Sequence, residues 1–119
     1  MSMITSLEYA DYVYNLTAQS TNFHHIPCNM LHAVIGIAGE AGELLDIIKK
    51  RGAYDVPIDD RCLKEEAGDI LYYLQMLCND RGWTLEELKQ TNYDKLRLRY
   101  PRGFTKDAAV RRIDKIGKI

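Results

Sequence analysis

From Asn29 to Asp80 apolar residues recur every three or four positions, and the pattern breaks once, between Gly52 and Ile58. That spacing is the period of an α-helix with one buried face. Strand signals are weak throughout the chain. The pattern predicts a helix over about Asn29 to Arg51, with Val34, Ile37, Ala41, Leu44, Leu45 and Ile48 as its apolar face and Gly52 as its stop. A second long helix follows Asp59-Asp60, which are good N-cap residues. It runs to about Asp80 on a wide apolar face that includes Leu63, Ala67, Ile70, Leu71, Leu74, Leu77 and Cys78. Arg81-Gly82 ends it.

The flanks carry the same signals. Thr5 and Glu8 have capping-box spacing and predict a first helix through Leu7, Ala10, Val13, Tyr14 and Leu16 to about Gln19. Ser20 to Pro27 reads as a loop holding His24 and His25. Thr84 and Glu87 form a second capping box, and the helix they open reaches Tyr100 before Pro101 stops it. Trp83 anchors the turn before it. Thr105 caps a short last helix with Val110, Ile113 and Ile116 at three-residue spacing. Short connections between long helices make antiparallel neighbours. The expected fold is all-α, a small antiparallel bundle of four to five helices.

The 119 residues suffice for one domain, residues 1–119, and one core. A small all-helical core gains from oligomerising. A net charge of −1 supplies no global field for a nucleic acid polymer or an acidic membrane. Phosphate recognition must then come from local basic residues or from a metal. No stretch approaches the ~18 apolar residues of a membrane span. The N-terminus lacks the pattern of a signal peptide. Cys28, Cys62 and Cys78 are odd in number and lack CxxC spacing, so they read as reduced thiols of a cytoplasmic protein, buried as small apolar groups.

The chemistry lies on the two long helices. One contains Glu40-Ala41-Gly42-Glu43 and the other Glu66-Ala67-Gly68-Asp69. Residues three apart point to nearly one side of a helix, so two such pairs on adjacent helices can converge. Leu63, Ile70, Tyr73, Leu74 and Leu77 share the side of Glu66 and Asp69, and Glu43 falls between Leu44 and Ile47. That places the four carboxylates at the edge of the core. Gathered carboxylates there need compensating positive charge, and a divalent cation supplies it most directly. Four hard oxygen ligands suit Mg, Mn or Ca. A di-iron bundle wants Glu-x-x-His pairs, which are missing. A carboxylate-only Mg²⁺ site predicts a phosphorylated substrate and an activated water.

Gly36, Gly39 and Gly42 sit inside the first long helix at ~1 kcal/mol each relative to alanine. Close helix packing and close approach of a ligand explain them equally well. Asn92, Lys95 and Arg99 share one face of the fourth helix. They are either a solvated basic stripe or a phosphate site, with Asn92 reading a base edge or sugar hydroxyl. His32 lies at nearly the helical angle of Glu43, as a packed residue or a flank for a base or phosphate. Tyr73, one turn past Asp69, either stacks on a base or packs in the core. Lys50 meets a distal phosphate or, the favoured reading, caps its helix end against the dipole. Basic residues outnumber acidic ones in the segment from Lys106 onward, which touches phosphate, closes over the site or packs on another subunit.

The stretches GIAGEAGELLDIIKK and KEEAGDILYYL, with a 22-residue spacer between Glu43 and Glu66, resemble the signature of the all-α nucleoside triphosphate pyrophosphohydrolases, the MazG-like superfamily. The run NYDKLRLRYPRGF is similar to the third block of its single-domain members. The likeness spans roughly Leu31 to Phe104. It implies Mg²⁺-dependent hydrolysis of a nucleoside triphosphate between the α and β phosphates, giving a monophosphate and pyrophosphate. Mn²⁺ is a possible substitute. It assigns Mg²⁺ to Glu40, Glu43, Glu66 and Asp69; the mechanism expected of such a site has Glu40 or Glu43 orient the attacking water. It assigns the phosphates to Lys95 and Arg99, and nucleotide contact to Asn92. It also implies a homodimer or a dimer of dimers with sites near subunit interfaces. Rival expectations are an enzyme restricted to dUTP and dCTP or to phosphoribosyl-ATP, and a non-catalytic helical interaction module.

Overall fold

The structure is a computed structural model and describes residues 2–17 and 25–116. The expected all-α architecture holds. Five α-helices appear among the described residues: α1 (Ser6–Leu16), α2 (Cys28–Tyr54), α3 (Asp60–Arg81), α4 (Leu85–Arg99) and α5 (Lys106–Arg111). A 3-10 turn, Ile113–Lys115, follows α5.

Local chemistry sets most of the boundaries. The Thr5 hydroxyl accepts from the Glu8 backbone N–H at 3.1 Å, and the Glu8 carboxylate accepts from the Thr5 N–H at 3.2 Å. Thr84 and Glu87 repeat the arrangement at the start of α4. Asp59 caps α3 by accepting from the Arg61 N–H at 2.9 Å. Gly82 ends α3 at φ 72°, a left-handed conformation that costs glycine little.

Two expected ends move. α2 runs through Gly52 and stops three residues later, where Asp55 turns left-handed at φ 60° and donates its N–H to the Lys50 carbonyl. One interior glycine costs only ~1 kcal/mol, too little to halt so long a helix, and aspartate tolerates the left-handed region. The last helix breaks at Arg112, φ 47°, so Val110 and Ile113 do not share one continuous helical stripe. α1 ends at Leu16; the expected end at Gln19, and His24 in the loop, lie outside the described residues.

α2 and α3, joined by the short 55–59 segment, form a helical hairpin that carries most of the packing. Ala33 near the start of α2 and Cys78 near the end of α3, both at the open end of the hairpin, are its fully buried apolar residues. Leu44, Ile47, Leu63, Ile70, Leu74 and Leu77 are half-buried between the two helices. α4 touches α3 lightly and packs on the 3-10 turn. Every residue of α1 is exposed, its apolar Leu7, Val13 and Leu16 included. The thiols also differ from expectation. Cys78 is buried, but Cys28 is exposed and Cys62 is only half-buried. Cys62 lies 3.6 Å from an Asp59 carboxylate oxygen, and that negative charge pushes its thiol pKa up.

The chain is open. Its radius of gyration is 20.2 Å, against about 13.5 Å for a compact chain of this length. Its accessible surface is 10380 Å², against about 6,600 Å² for a compact protein of this mass. Val34, Ile35, Leu45 and Ile48 on α2, and Leu71 and Tyr72 on α3, are exposed.

Candidate metal and phosphate site

Glu40 of α2 and Glu66 and Asp69 of α3 each offer a carboxylate oxygen, and the three oxygens lie within 4.8 Å of one another. Glu40 and Glu66 are half-buried and Asp69 is exposed. The three-residue step from Glu66 to Asp69 keeps both on the side of α3 that meets α2. Glu66 feels the cluster most. A hydrogen bond with Glu40, possible only when one of the two holds a proton, raises its pKa; burial and the charges of Glu40 and Asp69 push the same way. With both ionised, the buried Oε2 of Glu66 has no hydrogen-bond partner among the described residues. A buried, unpartnered carboxylate oxygen among hard oxygen donors fits a divalent cation of the Mg²⁺ type.

Glu43 stands apart from this group. It is exposed. Three residues carry it about 4.5 Å along the helix from Glu40 and ~60° around it, so a contact centred on Glu40 leaves Glu43 at the rim. Lys50 does not cap the helix end. It pairs with Asp46 at 2.7 Å, which lowers the Asp46 pKa and raises that of Lys50.

Gly36 has a definite reason to be glycine. A Cβ there would run into the ring of Tyr73, which lies directly over the α2 backbone. Tyr73 is half-buried, with its ring 5.8 Å from that of His32 and 5.1 Å from that of Tyr72. The notch at Gly36 therefore holds an aromatic wall one turn from Asp69. Among the described residues nothing lies within 4 Å of where a Cβ would sit at Gly39 or Gly42, so packing inside the chain does not explain those two.

The expected phosphate residues sit on a different element. On α4, Asn92 is exposed and Lys95 is half-buried. No ion pair joins Lys95 or Arg99 to Glu40, Glu66 or Asp69 among the described residues. Arg99 is engaged elsewhere. Its Nε donates to Asp114 Oδ1 at 2.7 Å and its Nη2 to Oδ2 at 2.9 Å. Arg99 is 14% exposed and Asp114 1%. The guanidinium holds the Asp114 carboxyl at about 2, below its ordinary 3.8, and the carboxylate in turn raises the Arg99 pKa. Asp114 is the residue that sequence reasoning missed. It is one aspartate in a basic segment, fifteen residues from its partner, and no periodicity links them.

Fold and site together define an all-α protein with facing carboxylates on its two longest helices. The family model of the MazG nucleotide pyrophosphohydrolase domain matches residues 30–104, well over half of the chain and nearly all of α2, α3 and α4. The chain belongs to that family, and nucleotide pyrophosphohydrolysis is the general activity its membership supports. Comparison with curated proteins and with solved structures gave no match. Among the described residues no helix is long and apolar enough to cross a membrane.

Proposed function

We propose that the chain hydrolyses a nucleoside or deoxynucleoside triphosphate between its α and β phosphates, with Mg²⁺ as cofactor and a nucleoside monophosphate and pyrophosphate as products. The observation that carries this reading is the buried, unpartnered Glu66 oxygen inside the Glu40, Glu66 and Asp69 group. Glu40, Glu66 and Asp69 would hold the cation, and Glu43 at the rim would complete the set. A bound Mg²⁺ neutralises phosphate charge and favours ionisation of water; Mn²⁺, of similar hardness, is a substitute.

The chain's own residues supply the rest. A carboxylate oxygen of Glu40 or Glu43 accepts the proton of the attacking water. An oxygen–phosphorus bond forms at the α phosphorus, the bond to the bridging oxygen breaks, and pyrophosphate leaves with that electron pair. Lys95 neutralises phosphate oxygens. Arg99 does so with the N–H groups that Asp114 leaves free, since a guanidinium has five. Tyr73 and His32 flank the base, and Asn92 contacts the nucleotide.

We further propose that the working form is a homodimer or homotetramer. The excess surface, the large radius of gyration and the exposed apolar residues of α2 and α3 support it. A panel of nucleoside triphosphates, including dUTP, dCTP and phosphoribosyl-ATP, assayed with Mg²⁺ for pyrophosphate release, tests the activity. Release from one or more is expected. Release from none, with Mg²⁺ or Mn²⁺, overturns the reading in favour of a non-catalytic helical module.

A further inference from the structure

Charge is segregated along this chain. Residues 1–94 hold seven Lys and Arg against fifteen Asp and Glu, and residues 95–119 hold nine against two. The first part carries −8 and the second +7, although the whole is −1. The described part of the basic segment folds into a pocket. The end of α4, the 101–105 turn and α5 line a half-open pocket of about 610 Å³, within the ~300–1,000 Å³ of small-molecule sites. The buried Arg99–Asp114 pair fastens one wall to the other.

The lining is chemically specific. Arg97, Arg99, Arg102 and Arg111 line the cavity, and Asp107 is the single carboxylate among its lining residues. Arg97 packs on the Tyr93 ring at 5.4 Å. Arg111 and Asp107 form only a long, exposed pair at 3.4 Å. Arg102 has no ion-pair partner among the described residues. Leu98, Pro101 and Ile113 supply an apolar wall. Guanidinium groups match phosphate oxygens in geometry and charge. Several of them around one cavity repel each other, and an anion relieves that repulsion.

We infer that this pocket binds a small phosphorylated molecule with an apolar body, of the nucleoside monophosphate class. It meets the proposed triphosphate site at Arg99, which lines it, while none of Glu40, Glu66, Asp69 and Lys95 does; the inference concerns binding and does not rest on the proposed hydrolysis. Its volume is that of a small-molecule site rather than of a groove tracking a nucleic acid strand.

Calorimetric titration of the full chain in EDTA at low salt tests it, with AMP and inorganic phosphate as probes. EDTA strips divalent cations, so the acidic group on α2 and α3 repels both. AMP is expected to bind saturably and at least about tenfold more tightly than inorganic phosphate, because only AMP reaches the apolar wall. Arg102→Gln and Arg111→Gln are each expected to weaken AMP binding about tenfold, the effect of losing one charge-assisted hydrogen bond. Leu98→Glu is expected to abolish it, and Glu66→Gln to leave it unchanged. Circular dichroism checks the helicity of each variant. Lack of saturable AMP binding, full binding by the arginine variants, or equal affinity for inorganic phosphate overturns the inference. So does tighter, arginine-dependent binding of a single-stranded oligonucleotide. The pyrophosphate-release assay with Mg²⁺ is a separate measurement, so either proposal can fail while the other stands.

Discussion

Arg99 and Asp114 meet through two parallel hydrogen bonds, and the carboxylate is almost fully buried. The Asp114 pKa is held at about 2 in the folded chain, below its ordinary 3.8. The pair therefore stabilises the fold fully above about pH 4, and that contribution is lost as pH falls towards 2. Asp114→Asn leaves Arg99 part-buried without its counter-charge, so thermal denaturation at pH 7 should show a lower midpoint. Asparagine does not titrate. The variant should therefore lose less stability than the wild type between pH 4 and 2, and parallel curves through that interval would count against the pair.

Glu66→Gln should separate stability from activity. The amide removes a negative charge crowded by Glu40 and Asp69, so the metal-free chain should melt at a higher temperature in EDTA. The same change removes a proposed Mg²⁺ ligand, and turnover should fall by about a hundredfold or more. Glu43→Gln should also lower turnover. Full Mg²⁺-dependent activity in the Glu43 variant would refute the proposed mechanism.

Gly36→Ala should act through Tyr73. The added methyl occupies the place of the ring, and overpacking of this kind costs about 1–3 kcal/mol. Urea denaturation measures that cost. Steady-state kinetics should show a raised KM, because the displaced ring is the proposed flank of the base. Gly39→Ala meets open space and should leave the folding of the protomer intact.

Leu45→Asp and Leu71→Asp each place a charge on an exposed apolar position of α2 or α3. Sedimentation should show the wild type as a dimer or tetramer and these variants as smaller species. A wild-type chain that sediments as a monomer would remove the proposed assembly.

The sequence made the fold legible wherever a local interaction decides it. Thr5, Asp59, Thr84 and Thr105 cap their own helices, and Gly82 ends one. Periodicity placed Glu40, Glu66 and Asp69 together because helix geometry alone turns them to one side. It could not show that Glu43 stays at the rim, which depends on where α2 crosses α3. Nor could it show that Tyr73 rests on Gly36 or that Asp114 claims Arg99. Those contacts are tertiary, and their partners are separated by spacings that carry no helical rhythm.

Ala33 and Cys78 are almost all of the fully buried apolar interior that the described protomer has. Ordering a chain of this length costs far more conformational entropy than so small an interior offsets. If a second copy covers α2 and α3, folding and association are one event, and mass action governs both. Dilution then acts as a denaturant. The amount of the protein made becomes a control on whether it has a structure, and low expression would silence it without any change in sequence.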